Sequence, residues 1–455
     1  MEDDDVYPVH SLDDTKIFRS ILMTWTIFFN DFLDADKLRV SLSRLLDIGD
    51  WRKIGGRLRL NAKGALEIHV PRSFTTERPA FSYSFKKVDT AVEDHAVAKQ
   101  FPKPQGHVSI WPGPQEFCEL ATSSDAPVTL EDLLVEDTPQ MSVHITAFTN
   151  ATFVALSWPH TLMDVMGQRA LLKAWSMVLA GRESEVPPVL GARDDILCAL
   201  MNAPAQKSEE HVFKSKQLDG FALEKFGTSF EMLTGPSPET RTVCLSKRAM
   251  AYLRSQALED LTFSDGDGEK PFMSDGDILT AWIVRAVATT LTRPCPMTAL
   301  HTMNARFRLP LLKNAKGVYL QNMLVSGFTL FPSDVTSGPM GPIALRNRQH
   351  LMQQATELQV LGSLREQRLA GDNSTLIYSD ADALLLPFTD WTKAKLFSVA
   401  NFSPAVVCPG ESSRTRSRLF VSIMGMDYGD NYWLTLTLSP LIWKNIEKSL
   451  QSLNQ

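Results

Sequence analysis

Two hydrophobic periods follow one another along this chain, a two-residue alternation in short runs and a helical spacing in longer ones. Thr24-Trp25-Thr26-Ile27-Phe28-Phe29 reads as a buried strand, and Leu38, Leu42, Leu45 and Leu46 then fall at i, i+4, i+7 and i+8, the spacing of one helix face. Asp34 stands where that helix needs an N-cap, a carboxylate able to accept from amides without an intrahelical partner. After Gly55-Gly56, the runs Arg57 to Leu60 and Leu66 to Val70 flank the turn-forming Asn61-Ala62-Lys63-Gly64, which predicts a hairpin. Met141 to Phe148 and Thr152 to Trp158, either side of Thr149-Asn150-Ala151, predict a second hairpin that ends in Pro159-His160. A helix should follow from about Val165 to Ala180, with Ala170, Leu171, Ala174, Trp175 and Val178 on one face.

From Gly181 to Pro238 the pattern weakens under Pro187-Pro188, Pro204 and Gly235-Pro236-Ser237-Pro238, so this stretch is the expected linker. Beyond it, Arg241 to Leu245 reads as a strand, and helices are predicted over Lys247 to Leu258 and Asp277 to Leu291. Leu419 to Met426 and Tyr432 to Leu438 flank Asp427-Tyr428-Gly429-Asp430-Asn431, and Ser439-Pro440 opens a last helix with a cap and a first-turn proline. The expected organisation is α/β, with mixed domains at 1–180 and 239–455 joined by the long linker 181–238.

Composition narrows the function. A chain of 455 residues can bury more than one core, and 22% charged with 44% hydrophobic residues is that of a globular protein. Lys plus Arg total 46 against 52 Asp plus Glu, a balance of −6 that argues against a nucleic-acid partner. The apolar stretch Ile21 to Phe29 is less than half of the ~20 residues a membrane span needs, so no membrane association is expected. The acidic Met1-Glu2-Asp3-Asp4-Asp5 is unlike a basic leader, which makes a cytoplasmic location the expectation. Cys118, Cys198, Cys244, Cys295 and Cys408 are scattered, with no Cys/His pair at ligand spacing and hence no expected metal site. The acidic run Ser264 to Glu269 lacks the ligand spacing of a calcium loop and reads as a solvated turn.

Chemistry concentrates at His160-Thr161-Leu162-Met163-Asp164, followed by Gly167, where a strand stops. A histidine there can turn a ring nitrogen toward a reacting group, and its pKa near neutrality suits a general base. Spacing alone leaves a hydrogen-bonded structural histidine open, and His10 with Asp14 shows the same H-x-x-x-D interval.

With Gly167, His160 to Asp164 resembles the H-x-x-x-D motif of the BAHD acyltransferases, which move an acyl group from coenzyme A to an alcohol or amine. Four further segments agree in order. Leu42 to Leu46 through Gly55-Gly56-Arg57-Leu58 resembles the family's helix and "GGR" hairpin, and Ser274 to Trp282 its S-x-x-D-x-L-T-A-x-x-W helix. Asn304-Ala305-Arg306-Phe307-Arg308 resembles the N-x-R-x-R strand, and Tyr319-Leu320-Gln321-Asn322 the Y-x-G-N segment. Thr389-Asp390-Trp391 resembles T-S-W. Beyond it, Asn401-Phe402-Ser403-Pro404-Ala405 stands where the family shows D-F-G-W-G. The texture is similar to the fungal branch, whose members commonly decorate secondary metabolites.

The resemblance implies two chloramphenicol-acetyltransferase-like mixed α/β domains with the site between them. It implies an acyl-CoA-dependent O-acyltransferase, with acetyl-CoA the first expectation as co-substrate, no bound cofactor and a small-molecule alcohol as acceptor. His160 would be the catalytic base. Asp164 would turn away from the substrate to pair with Arg306, with Asn304 beside it, and Thr389 and Trp391 would line the oxyanion position. The expected state is a monomer. Two alternatives stay open: a condensation-type enzyme fed by a carrier protein, in which Pro159 would replace the first of two histidines, and a degenerate, non-catalytic ligand-binding member, suggested by Asn401 and Ser403.

Overall fold

The computed structural model describes residues 4–135, 137–204, 209–218, 236–261, 271–371, 376–402 and 419–454. The acidic run 264–269, Cys408, and Ser403-Pro404-Ala405 lie outside the described residues. Before the expected linker the strands are β1 (Asp5–Pro8), β2 (Leu22–Phe29), β3 (Arg57–Leu60), β4 (Leu66–Val70), β5 (Ser82–Lys87), β6 (Ser109–Pro112), β7 (Ser142–Ala147) and β8 (Thr152–Pro159). After it come β9 (Glu239–Leu245), β10 (Met297–Asn304), β11 (Leu324–Phe331), β12 (Leu384–Asp390), β13 (Phe420–Met426) and β14 (Tyr432–Leu438).

Both expected hairpins form, β3 with β4 and β7 with β8. A four-stranded sheet runs β2-β8-β7-β5, and a three-stranded one β1-β4-β3. Strand β8 is buried over its whole length, so no polar face interrupts its pattern. The helix Ala35–Leu45 begins at Asp34, whose carboxylate accepts from the Lys37 amide at 3.0 Å, and buries Leu38, Leu42 and Leu45. The helix Val165–Leu179 packs against it, with Leu171, Ala174, Trp175 and Val178 in the first core.

The other large sheet runs β11-β10-β12-β13-β14-β9-β6. Its outermost strand, Ser109–Pro112, comes from the first half of the chain and pairs with β9 from Ser109 opposite Cys244 to Pro112 opposite Arg241. In return, Trp391, Leu396, Phe397 and Ala400 from the second half pack into the first core. Helices Lys247–Glu259, Asp275–Ala288, Met340–Gln354 and Pro440–Leu453 bury their apolar faces in the second core. Three begin at a serine cap: Ser246 accepts from the Ala249 amide, Ser274 and Asp277 form a reciprocal capping box, and Ser439 precedes Pro440 as expected. The S-x-x-D spacing is thus a helix start two residues earlier than expected.

The stretch 181–238 is packed where it is described. Val189 bridges Val318, Trp51 donates to the Pro187 carbonyl at 2.9 Å, and Leu197 and Met201 of the helix Ile196–Asn202 join Leu12, Leu309, Leu312 and Leu364 in a third cluster. Prolines and charges around that helix mask its short apolar stripe in the sequence. Among the described residues no helix is long and apolar enough to cross a membrane.

Candidate active site

Strand β8 delivers His160. Its amide donates to the Ile21 carbonyl at 2.9 Å, extending the β2–β8 pairing by one residue, and the Leu162 amide then turns back to Pro159 at 2.9 Å. The loop closes at Asp164, whose Oδ1 accepts from Met166 and Gly167 amides, both at 3.0 Å, and caps the helix Val165–Leu179. Gly167 is required by close approach, because a Cβ there would stand 2.3 Å from the Leu320 carbonyl oxygen and 2.7 Å from Met163 Cβ. Any larger residue would force the histidine loop away from segment 319–322.

The other oxygen of Asp164 faces the second half of the chain. Oδ2 accepts from Arg306 Nη1 at 2.6 Å, the Met323 amide at 3.2 Å and Asn304 Nδ2 at 3.4 Å. Arg306 Nη2 donates to the Tyr319 and Gln321 carbonyls at 2.9 and 2.5 Å, and Asn304 Oδ1 accepts from the Arg306 amide at 3.0 Å. Asp164 and Arg306 are both buried. Their opposite charges and the six surrounding hydrogen bonds offset the desolvation that burial imposes. Every oxygen of Asp164 is committed to structure, so it has no lone pair directed at a substrate.

The His160 ring stacks on Phe18, centroids 4.4 Å apart and planes within 7°. Its Nδ1 is buried with no hydrogen-bond partner in place, and the backbone acceptor that acts on the ring is the histidine's own carbonyl. That carbonyl accepts from Asn322 Nδ2 at 2.8 Å. Burial holds the imidazole pKa below its ordinary 6.5, opposed by its own carbonyl, Asp164 and Asn322. At neutral pH the ring is therefore uncharged. In the tautomer with its proton on the enclosed Nδ1, Nε2 keeps a free lone pair.

Strands β10 and β12 run parallel, His301 opposite Phe388, and their ends bring Thr302 beside Thr389. Thr389 Oγ1 accepts from Trp391 Nε1 at 2.7 Å and from the Thr302 hydroxyl at 3.1 Å. Both lone pairs are occupied, so the remaining capacity of Thr389 is its own O–H as donor. Trp391 spends its indole N–H on Thr389 and packs against Trp25 at 5.3 Å, so it reaches the site through the threonine. Between them, Asp390 presents an exposed side chain to the same cavity, and desolvation by the surrounding walls raises its carboxyl pKa.

His160, Asp164, Asn304, Thr389 and Trp391 all border one cavity of about 590 Å³, and Arg306 stands behind Asp164. Walls include Ile17, Phe18, Ile21, Met163, Leu324 and Val325, and farther round it Arg308 and Lys393. His10 and Asp14 are elsewhere. His10 Nε2 donates to the Gly191 carbonyl at 2.6 Å, while Asp14 pairs with Arg19 at 2.5 Å. Phe18, Asp13 and Asn322 carry no individual role that is legible in the sequence. Asn322 was visible only as part of a motif, and nothing local marks the other two. Among the described residues no group of three His, Cys, Asp or Glu side chains is placed to hold a metal ion.

Asn401 presents an exposed side chain, and its backbone amide donates to Ser176 Oγ at 3.0 Å. Phe402 anchors this segment edge-on against Trp175 at 4.5 Å. Asn401→Ala keeps that amide, so unfolding free energy should change by no more than about 0.5 kcal/mol and kcat should stay within about tenfold of wild type. A kinetic defect as large as that of a His160 variant, with folding intact, would place Asn401 in the reaction.

A family model described as the Transferase family matches residues 122–452. The chain is 34% identical to the O-acetyltransferase PaAT-2 of Phomopsis amygdali over 484 aligned positions, covering 99% of this chain and 98% of that protein. It is 32% identical to the acetyltransferase pyiB of Pyricularia grisea, covering 100% and 95%. The crystal structure of TRI101 from F. graminearum, complexed with coenzyme A and T-2 mycotoxin, superposes with a TM-score of 0.64 at 13% identity over 98% of this chain and 97% of that one. At that identity the structural likeness is one of fold, a two-domain mixed α/β architecture.

Proposed function

The chain belongs to the Transferase family, acyl-CoA-dependent acyltransferases of the BAHD type, and on that premise we propose that it acylates a hydroxyl of a small secondary metabolite with His160 as general base. One observation carries this reading: a single cavity holds an uncharged imidazole and a threonine hydroxyl whose lone pairs are both filled.

As the acceptor oxygen attacks the thioester carbonyl, His160 Nε2 takes its proton. The carbonyl oxygen becomes an oxyanion and receives the hydrogen bond that Thr389 has left to give, with Trp391 and Thr302 holding the threonine rotamer. Collapse breaks the C–S bond. The departing thiolate takes the proton back from the imidazolium, which returns the histidine to its starting state. Asp164, Arg306 and Asn304 orient the loop and exchange no proton.

The apolar wall formed by Ile17, Phe18, Ile21, Met163, Leu324 and Val325 suits an acceptor that is a largely hydrocarbon skeleton bearing a hydroxyl. The names of the relatives, and coenzyme A bound with T-2 mycotoxin in the fold neighbour, support acetyl-CoA as donor and such an alcohol as acceptor. In this reading the segments 1–180 and 239–455, with 181–238 between them, work as one catalytic unit. His160 comes from the first and Thr389 from the second. The enzyme acts as a monomer in the cytoplasm, without a membrane or nucleic-acid partner.

The test is incubation of the purified protein with acetyl-CoA and a panel of hydroxylated terpenoid and polyketide alcohols. Products are read by mass spectrometry, and free coenzyme A by thiol titration. An acetyl ester formed in step with released thiol is the expected result. Tight coenzyme A binding without ester formation on any alcohol, or with long-chain acyl-CoA donors, would favour a non-catalytic member.

A further inference from the structure

We propose that Asp13 is a positioning residue for the His160 base, acting through the side-chain amide of Asn322. The inference rests on the reading of His160 as base. Three remote parts of the chain converge here. Asp13 Oδ1 accepts from both the backbone amide and Nδ2 of Asn322, each at 2.7 Å, and the same Nδ2 donates to the His160 carbonyl at 2.8 Å. Asp13 is buried, as is Asn322.

The arrangement fixes which way the Asn322 amide faces. Both hydrogens of its NH₂ group meet acceptors, a carboxylate on one side and a carbonyl on the other, while its Oδ1 is buried with no partner. Rotating the amide by half a turn would put that oxygen against the Asp13 carboxylate and the His160 carbonyl, two repulsive contacts in place of two hydrogen bonds. The His160 carbonyl so held is the backbone acceptor that acts on the imidazole, whose buried Nδ1 has no other residue to pair with. Asp13 thus stands at the head of a relay that orients the amide, the amide fixes the carbonyl, and the fixed carbonyl is the acceptor left for the Nδ1 proton. Nε2 is left as the basic nitrogen in the cavity.

Asp13 also shares its buried surroundings with the charges of Lys53 and Asp164. Lys53, whose Nζ donates to the Ala192 carbonyl at 3.3 Å, is the nearby positive charge that acts on the Asp13 carboxyl. Changing the charge at position 13 therefore alters stability whatever its effect on His160. The informative readout is the state of the His160 ring.

The full-length protein with ¹⁵N-labelled histidine rings, His160→Ala providing the assignment, tests this directly. Wild type should show His160 as the neutral Nδ1-protonated tautomer at neutral pH. Asp13→Asn, which still offers one oxygen to both donors, should keep that tautomer. Asp13→Ala and Asn322→Ala should each shift it toward a mixture, and lower kcat for acetyl transfer by roughly ten- to a hundredfold while KM for acetyl-CoA stays within about twofold. Asp13→Ala added to Asn322→Ala should cost little more in kcat, because the relay is already cut. The wild-type tautomer persisting in Asp13→Ala and Asn322→Ala would overturn the proposal. Where Asp13→Ala does not fold, Asn322→Ala alone decides by the same criterion. The spectra need no acceptor, so failure of every alcohol in the wild-type assay would sink the enzymatic reading without touching this result.

Discussion

His160→Ala should lower kcat/KM for acyl transfer by at least about a hundredfold, within the ~10²–10⁴ that a positioned general base supplies. KM for acyl-CoA should hardly change, since the proton moves only as the transition state forms. The pH profile provides an independent check. The base works as the neutral imidazole, and burial holds its pKa below the ordinary 6.5. Activity is therefore fully present near neutrality and above, and is lost as pH falls through that depressed pKa, on the acid side of 6.5. In His160→Ala that acid limb should disappear with the rate. His10→Ala is the matched control, because His10 shares the H-x-x-x-D interval but bonds to Gly191 outside the cavity, and its kcat in folded protein should match wild type. Near-normal turnover by a correctly folded His160→Ala would remove this residue from the mechanism.

The second large effect belongs to Asp164 and Arg306. Arg306→Ala strands a buried carboxylate and Asp164→Ala a buried guanidinium, and each should cost about 3–5 kcal/mol of unfolding free energy. Asp164→Ala carries a further loss of about 1 kcal/mol, because the same carboxylate caps the helix Val165–Leu179 through Met166 and Gly167. The double substitution should fall short of the sum by up to about 3 kcal/mol, the coupling of a pair in direct contact. Denaturant titration of the four proteins measures it. Asp164→Asn should retain most of the capping contribution while losing the ion pair, which separates the two roles. Strict additivity in the cycle would mean that the 2.6 Å contact contributes nothing to the fold in solution. Activity should fall with each single substitution, since the displaced loop carries His160.

The H-x-x-x-D interval was readable without coordinates, yet it occurs at both His10 and His160, and the residues alone did not distinguish them. What separates them is register: β8 pairs with β2 as far as Pro159 opposite Leu22, which sets the next residue at the sheet's end beside the cavity. The pairing of Asp164 with Arg306 was implied by resemblance, and the coordinates bring the two into contact across 142 positions of sequence separation. Trp391 was expected to line the oxyanion position together with Thr389, and its N–H is given to that threonine. A tryptophan two residues from a threonine along an extended chain gives no sign of that hydrogen bond.

Local order in this protein is written in its sequence. Asp34, Ser246, Ser274 and Ser439 start helices because a side-chain oxygen three residues ahead of an orphan amide can satisfy it without help from the rest of the molecule. The two hairpins follow from alternation and turn composition for the same reason, since their contacts span few residues. The tertiary structure alone decided that Ser109–Pro112 crosses to the far sheet, that Phe18 covers the imidazole, and that Asp13 and Asn322 meet behind it. These contacts join residues that neither helical nor strand periodicity relates. They exist only once packing of the cores has closed the long loops between them, and the chain carries no short-range signal of where each partner will be.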